Sequence, residues 1–158
     1  MCSGRALIPI YKFLNLYGDE NHRKFKRNEE LGSRIDYFKS YKHVHRVGEI
    51  NMEITRKGLN GECELCRQTL LLFTEIFGEI AGDLALFTLP TGGVYLMGGL
   101  ARILTPLILN NTIFMNHFKN KDRFWFILQK LPIYLVQNQD IGLVGATEAA
   151  RRILEKID

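Results

Sequence analysis

The sequence of 158 residues has few of the residues that mark unusual protein classes. It has three cysteines and four prolines. An odd, small number of cysteines excludes the disulfide framework of a small secreted domain and points to a reducing compartment. The opening segment MCSGRALIPIYK also lacks the basic stretch and apolar run of a secretion signal, so we expect a cytoplasmic protein. Since 21 Lys and Arg oppose 17 Asp and Glu, the net charge of +4 does not by itself indicate a polyanionic partner.

The sequence also lacks an uninterrupted apolar run long enough to cross a membrane. No charged residue occurs from Leu84 to Ala101. However, Pro90-Thr91-Gly92-Gly93 and Gly98-Gly99 divide this stretch into pieces shorter than the roughly 20 residues of a spanning helix. We therefore expect a buried helix, a turn and a buried strand here, and no membrane partner.

The chain does contain the pattern of a globular α/β domain, with 46% hydrophobic and 24% charged residues. Apolar spacing predicts helices over 7–17 and from Glu62 to about Leu89, the second with an apolar face that includes Leu84. Gly78 and Gly82 lie four residues apart in this long helix, so a neighbouring element can approach it closely.

Short apolar segments at 94–97 and 133–136 predict buried strands. Further helices are predicted over 49–57, 100–109, 113–131 and 143–157. The second of these should be kinked at Pro106 or start late there. Because strands and helices alternate in this half of the sequence, we expect α/β layering with a parallel pair of strands.

Residues 19–48 form a polar, basic stretch with four interleaved aromatics: Phe25, Tyr37, Phe38 and Tyr41. Cations and aromatics together are also found on nucleic-acid-binding surfaces, where bases stack between phosphate contacts. Acidic residues are interspersed here and no RNA-binding motif is present, which favours a solvated insertion whose aromatics anchor it to the body. We therefore expect no nucleic-acid partner.

Cys63 and Cys66 form a CxxC pair at the start of the long helix. A zinc site would need two more ligands, and the nearby His43 and His45 are the obvious supply. A redox role is the other alternative, since a helix N-terminus lowers the pKa of a thiol. The spacing fits no recognised zinc finger, so the favoured interpretation is a pair of small buried side chains and no metal site.

The segment GGVYLMGG, Gly92 to Gly99, is the most informative local motif. It predicts a buried strand that leads directly into a double glycine at the start of a helix. Glycine lets a flat ligand or a phosphate lie against the backbone, and the helix offers free N–H groups. The alternative is a corner of the same shape that serves packing alone.

Taken in order along the chain, several segments resemble the bacterial-type glucokinases. They are SG-x-x-L at Ser3 to Leu7 followed by Tyr11, Glu53-Ile54-Thr55, Cys63-x-x-Cys66-Arg67, GGVYLMGG, F-x-x-x-F-x-x-K-x-R-F ending at Phe124, Ile133-Tyr134-Leu135, and Gly142-Leu143-x-Gly145-Ala146. The resemblance covers nearly the whole chain. Residues 19–48 look longer and more basic than in typical members.

This resemblance implies the carboxy-terminal lobe of an actin-like (RNase H-like) kinase fold, as one domain over residues 1–158 with 19–48 as an insertion. In the family, two α/β lobes enclose ATP and sugar. By resemblance Gly98, Gly99 and Leu100 would bind the nucleotide, and Gly142 and Gly145 would pack the last helix close to it. The intact family uses ATP with Mg²⁺ to convert glucose to glucose 6-phosphate in glycolysis.

The other motifs of that family do not occur in this sequence. They are the phosphate motif GD-x-GGTN, the second phosphate loop GTGLG, the NDF-like catalytic aspartate and the sugar-binding Glu-Gly-Gly-His. We therefore predict no catalytic residue here, and a chain that is inactive alone and forms a homo-oligomer or joins a complementing half. The alternative is a non-catalytic interaction or regulatory module derived from a kinase lobe.

Overall fold

The computed structural model describes residues 4–18, 23–37, 44–110 and 112–156. Two 3-10 turns, Gly4–Ala6 and Asp122–Phe124, accompany the helices and strands. In chain order these are α1 (Leu7–Tyr17), α2 (Glu29–Tyr37), α3 (Val44–Leu59), α4 (Glu64–Thr88), β1 (Val94–Leu96), α5 (Gly99–Ile103), α6 (Thr105–Asn110), α7 (Ile113–Lys119), α8 (Trp125–Leu128), β2 (Ile133–Leu135) and α9 (Ile141–Leu154).

The 25-residue helix α4 is the central element of the core, against which α1, α3 and α7 pack. It begins after Cys63, which has an extended backbone and whose Sγ accepts a hydrogen bond from the Cys66 N–H. Its buried face includes two threonines, Thr69 and Thr74, whose hydroxyls donate to the carbonyls four residues earlier. The predicted face is partly wrong: Leu84 is exposed, because the buried stripe passes through Ala81 and Ala85 instead.

The close approach predicted at Gly78 and Gly82 is confirmed. A Cβ on Gly78 would lie 2.5 Å from the carbonyl oxygen of Phe114, and one on Gly82 would overlap that of Phe118. Both partners belong to α7. The backbone of α7 therefore rests directly on α4, where any larger side chain would force the helices apart.

The polar stretch 19–48 contributes more to the core than a solvated insertion would. Phe25 is buried as expected of an anchoring aromatic, and α2 buries Leu31 and Ile35 completely. Arg27 bridges Glu29 and Asp36, which fixes the loop before α2 against the helix. The predicted anchors Phe38 and Tyr41 lie outside the described residues, and so does the side chain of Tyr37.

Strands β1 and β2 pair in parallel, with Val94 opposite Ile133 and Leu96 opposite Leu135. The predicted α/β class and parallel pair are confirmed. The inner sheet face packs against the core through Leu96 and its neighbours. The outer face carries Tyr95 and Tyr134, which are exposed and stack with ring centroids 4.9 Å apart. The prediction of buried strands is therefore wrong in part, because the described chain covers only one face of the sheet.

Several predicted helix boundaries were wrong. In the helix expected over 100–109, by contrast, the break predicted near Pro106 is confirmed: the segment is divided at Leu104 into α5 and α6, and Pro106 occupies the first turn of α6. The helix expected over 113–131 stops at Lys119, since the backbone leaves the helical conformation at Asn120, whose ψ is 72°, and Asp122 then adopts a positive φ of 41°. Helix α3 starts earlier than predicted and α9 spans 141–154 instead of 143–157.

Within the described ranges, none of the helices combines the length and the apolar character needed to cross a membrane.

Candidate functional site: a cleft at the carboxyl ends of the strands

A cleft of about 310 Å³ opens where both parallel strands end. The carboxyl ends of parallel strands are the usual ligand position in open α/β sheets. One wall comes from the segment after β1 and the other from the segment after β2. The lining residues are Met97, Gly98, Gly99, Arg102, Val136, Asn138, Gln139 and Ile141.

The double glycine forms a bare stretch of backbone on the β1 side of the cleft. Gly98 has φ 109°, a conformation that side chains with a Cβ rarely adopt. Apart from their own neighbours along the chain, no described atom lies within 4 Å of a Cβ built on Gly98 or Gly99. The backbone conformation accounts for the glycine at position 98, whereas neither packing nor a positive φ does so at position 99, and the open space can admit a flat ligand.

The loop after β2 is held to the helices that follow β1. Gln137 donates to the Thr105 hydroxyl at 3.2 Å. The Gln139 amide lies against the Arg102 guanidinium and accepts from it when its oxygen is turned toward the cation. Asn138 Oδ1 accepts from the Asp140 N–H at 2.9 Å, which shapes the start of α9. The polar rim is thus ordered by contacts within the chain.

This arrangement has the chemistry of a binding site. Met97, Val136 and Ile141 give apolar walls, while amides and one guanidinium offer hydrogen bonds at the rim. Such a combination suits a flat ring that carries polar groups on its edge. None of the lining residues is a carboxylate, histidine, cysteine or lysine, so the cleft has no general base.

The other two predicted nucleotide-binding residues lie at the edge of this cleft. Leu100 packs partly against the core and does not line the cleft. Gly142 follows the lining residue Ile141 in the first turn of α9. A Cβ on Gly142 would meet nothing within 4 Å, so the start of α9 leaves open space beside the cleft.

Cys63 and Cys66 lie far back in the core, as the favoured interpretation predicted. Both are buried free thiols, and burial raises the pKa of the Cys66 thiol well above its ordinary value. Cys63 Sγ donates to the Lys26 carbonyl. In the part of the chain that the structure describes, no three His, Cys, Asp or Glu side chains are grouped as metal ligands. The candidate ligands His43 and the side chain of His45 lie outside the described residues.

Sequence reasoning missed the polar half of the cleft. Arg102, Asn138 and Gln139 were not singled out, because they are isolated polar residues without a family motif. One signal was available: Asn138-x-Asp140 directly after a predicted strand is typical of an Asx turn that starts a helix.

The fold and the cleft define a class: an α/β protein with a ligand cleft at the carboxyl edge of its parallel strands, the position at which nucleotides bind in many such proteins. A sequence model of the glucokinase family matches residues 1–153. The chain is 30% identical over 152 residues to a glucokinase of a Nostoc species and 33% identical over 153 residues to that of Nostoc punctiforme. The glucokinase of Neisseria meningitidis is 33% identical over 146 residues.

The chain belongs to the glucokinase family. The matches cover 96% of this chain for the two Nostoc proteins and 90% for the Neisseria protein. They cover only 43% of each relative, so the chain spans less than half the length of the curated relatives it matches. The matched region is the carboxy-terminal part of those proteins.

Proposed function

We propose that this chain is the nucleotide-side lobe of a glucokinase with an actin-like fold, and that the cleft binds the adenosine part of ATP. The observation that carries the proposal is the open Gly98-Gly99 corner, whose missing side chains the chain's own packing does not require. Membership of the glucokinase family supplies the substrate class.

In this proposal the residues of the chain bind and orient the nucleotide. The base lies against the bare backbone of Gly98 and Gly99, between the apolar walls. Asn138 and the Arg102–Gln139 pair offer hydrogen bonds to the ring edge and the ribose. Leu100 supports the glycine corner from the core side, and Gly142 leaves room at the start of α9.

In the proposed complex, magnesium would be bound through ATP and not by side chains of the cleft. Mg²⁺ prefers carboxylate and phosphate oxygens, and the cleft contains no carboxylate. The lining residues therefore do not form a magnesium site. We expect the metal to be bound by the phosphates of the nucleotide.

We propose that the protein phosphorylates glucose to glucose 6-phosphate only together with the remainder of a glucokinase fold. This reaction would be a step of glycolysis in the cytoplasm. Phosphoryl transfer needs a base on the attacking hydroxyl and charge neutralisation at the phosphates. The residues that line the cleft include a cation, Arg102, but none of the usual general bases, which supports a chain that is a truncated or partial kinase and is inactive alone. The domain assignment 1–158, with 19–48 as an insertion within it, belongs to the same proposal.

The competing function, a non-catalytic interaction or regulatory module, predicts a polar surface in place of the lobe contacts. The structure instead exposes large apolar side chains at the end of α4 and along α9: Phe87 is 88% and Leu143 69% exposed. Uncovered apolar surface of this kind marks an interaction site. This favours a lobe that is completed by a homo-oligomer or a complementing half over a mature monomeric module.

Binding of a fluorescent ATP analogue to the purified chain tests the proposal. Gly99→Leu places a side chain in the cleft at a position where a Cβ meets no atom within 4 Å beyond its neighbours in the chain, so we expect at least about tenfold weaker binding, equivalent to about 1.4 kcal/mol. The control is Gly48→Leu on α3, where a Cβ also meets open space and which does not line the cleft, so binding should be unchanged. If the wild-type chain shows no binding at millimolar analogue, the nucleotide role is wrong.

A coupled assay for glucose 6-phosphate with ATP, Mg²⁺ and glucose separates binding from turnover. We expect no product from the isolated chain. Clear turnover would contradict the partial-kinase proposal, because catalytic groups would then lie among residues that we assign to structure.

A further inference from the structure

The two cysteines at the start of α4 take no part in the nucleotide cleft, but their sulfurs are neighbours. Cys63 is the residue before α4, and Cys66 lies in its first turn. Cys63 Sγ accepts from the Cys66 N–H at 3.4 Å, and the Cys66 thiol is also hydrogen-bonded to the Cys63 side chain. Residues in these two positions lie about 5–6 Å apart at Cα, which is within the span of a disulfide. A bond between the sulfurs therefore requires little movement of the backbone.

A single exposed residue covers Cys63. Cys63 Sγ donates to the Lys26 carbonyl at 3.9 Å, and the Leu65 N–H donates to the same carbonyl at 3.2 Å. The Lys26 N–H in turn donates to a carboxylate oxygen of Glu64 at 3.3 Å. Lys26 belongs to the loop 23–28 and is itself exposed. Local opening of this loop thus admits a small oxidant to Cys63 before Cys66, which has no exposed surface.

A buried hydroxyl beside the two cysteines has no hydrogen-bond partner in the described chain. It belongs to Tyr11 on α1, which has no exposed surface. Burial raises the pKa of Tyr11, and the nearby Cys66 and Cys63 raise it further, which places the hydroxyl close to both sulfurs. Since an unpaired buried donor is destabilising, this hydroxyl suits a polar atom that is added to one of the sulfurs.

The two thiols differ in how readily they react. Burial raises the pKa of the Cys66 thiol, and the hydrogen bond with Cys63 adds to this effect. The charged groups near Cys66 are Lys57 and Glu53 on α3, which pair with each other at 3.5 Å and act on the thiol in opposite directions. Cys66 therefore keeps its proton, and the less buried Cys63 is the sulfur that an oxidant meets first.

We infer that Cys63 and Cys66 form a modification site at which hydrogen peroxide produces a reversible disulfide across the first turn of α4. The sulfur of Cys63 attacks one peroxide oxygen and the O–O bond breaks. Cys63 becomes a sulfenic acid, whose oxygen accepts from the Tyr11 hydroxyl, and the thiol proton leaves with the other oxygen as water. The sulfur of Cys66 then attacks that of Cys63, the S–O bond breaks, and a second water carries away the Cys66 proton. Two thiols are oxidised and one peroxide is reduced to two waters.

The disulfide changes how the loop 23–28 is attached to α4. A bridged Cys63 has no proton to donate to the Lys26 carbonyl, which then keeps only the Leu65 N–H of these two donors. The oxidation state of the pair thus controls how firmly the loop is held. Disulfides in a reducing compartment are typically transient and serve redox sensing. The inference does not rest on the proposed function, because none of these residues lines the cleft.

The test treats the folded Cys2→Ser chain, whose remaining cysteines are Cys63 and Cys66, with millimolar hydrogen peroxide. The tryptic peptide 58–67 contains both of these cysteines and is analysed by mass spectrometry. We expect the peptide to lose two hydrogen atoms and to regain them on reduction with dithiothreitol. Hydrogen exchange of the Leu65 amide should become at least about threefold faster in the oxidised chain, because the loop is held less firmly.

The matched variant is Cys63→Ser in the same background. Serine is a good helix cap and keeps a hydroxyl donor for the Lys26 carbonyl, but it cannot form the disulfide. Peroxide should therefore leave the exchange of the Leu65 amide unchanged. If this variant does not unfold cooperatively, Cys66→Ala replaces it, and its peptide 58–67 should gain oxygen instead of losing hydrogen. Tyr11→Phe should slow disulfide formation at least about threefold, because the sulfenic oxygen loses its donor.

Three results would overturn the inference. One is a peptide 58–67 that stays unmodified in the folded chain, with the urea-unfolded chain as the positive control for the oxidant. Another is the addition of two or three oxygens to Cys63 without a disulfide, since Cys66 would then fail to attack the sulfenic acid. The third is a disulfide that leaves exchange of the Leu65 amide unchanged, because the pair would then have no influence on the loop.

Discussion

Two regions of the molecule differ in how far their apolar side chains are buried. One is the helical region formed by α1, α3, α4 and α7, and the other is formed by the sheet and α9. In the first, leucines and phenylalanines are buried and two glycines let helices touch. In the second, Tyr95 and Tyr134 face outward and no residue of α9 is buried. The first region forms a core from its own residues, whereas the second depends on contacts that this chain alone does not make.

Helix α9 shows the difference most clearly. Its polar side is tied together by Glu148, which pairs with Arg151 at 2.8 Å and Arg152 at 2.7 Å. These pairs lie one helical turn apart and support the helix locally. The apolar side chains of Leu143, Ile153 and Leu154 are nevertheless exposed. The helix is thus stabilised by its own ion pairs, but its apolar side chains are not packed against the rest of the described chain.

The largest contrast is expected from removing one leucine in each region. Leu70 is fully buried in α4, so Leu70→Ala should lower the free energy of unfolding by about 2–5 kcal/mol. Leu143→Ala on α9 should change it by less than about 0.5 kcal/mol. Urea denaturation measures both. Equal losses would mean that α9 is packed in solution and that the two regions do not differ.

Substituting one glycine in each region should change the free energy of unfolding by smaller amounts, and the two changes should have opposite signs. Gly82→Ala places a Cβ against the Phe118 carbonyl, so we expect a loss of about 1–3 kcal/mol as α4 and α7 separate. Gly145→Ala lies in a helix in open space, where alanine is the better helix former, so a gain of about 0.5–1 kcal/mol is expected. A neutral Gly82→Ala in urea denaturation would contradict the close helix contact.

Alkaline pH should weaken the helical region. Burial raises the pKa of the Cys66 thiol, so the folded chain keeps a proton that the unfolded chain loses above about pH 8.5. The unfolded state then binds fewer protons, and the free energy of unfolding falls by up to about 1.4 kcal/mol per pH unit for this group. Burial likewise raises the pKa of Tyr11, which adds to the fall above about pH 10.

Denaturation midpoints from pH 7 to pH 11 measure this dependence. Cys66→Ala should lower stability at pH 7 but give a shallower fall above pH 8.5, since the thiol no longer titrates in the unfolded chain. An unchanged slope in this variant would show that Cys66 does not contribute to the pH dependence.

The smallest effect is expected from the ion pair between Asp83 and Lys121, which joins α4 to the segment after α7 at 2.6 Å. Asp83 is largely exposed, so Asp83→Asn should cost only about 0.2–1 kcal/mol, and less at high salt. Thermal denaturation at two salt concentrations checks this. A loss that is large and independent of salt would mean that the pair is buried in solution.

The elements with strong local signals were predictable from the sequence. The spacing of apolar residues gave α1 with its observed bounds and α4 within two residues, and the apolar segments gave both strands. The boundaries that failed depend on single residues in a tertiary setting. Asp122 takes a left-handed backbone that no local pattern requires, and Leu84 is exposed because the rotation of α4 is set by the glycine contact with α7.

The candidate site was only half predictable for a related reason. The glycine corner is a local motif, visible within eight residues. Arg102 lies in the helix after β1 and Gln139 in the loop after β2. They contact each other only because both segments follow strands that end at the same edge of the sheet. Their contact is a product of topology, and periodicity in one sequence does not reveal which distant polar residues a fold brings together.

The parallel pairing of β1 and β2 also bears on how quickly the chain reaches its native state. The two strands are separated by α5 to α8, so their ladder closes a long loop before it gains any hydrogen bond. The contact of α4 with α7 closes a loop of nearly the same length, but it is rewarded at once by tight packing along two helices, whereas each strand has only three residues. We therefore expect the helices to assemble first and the sheet, with the cleft at its edge, to form in the last and slowest step.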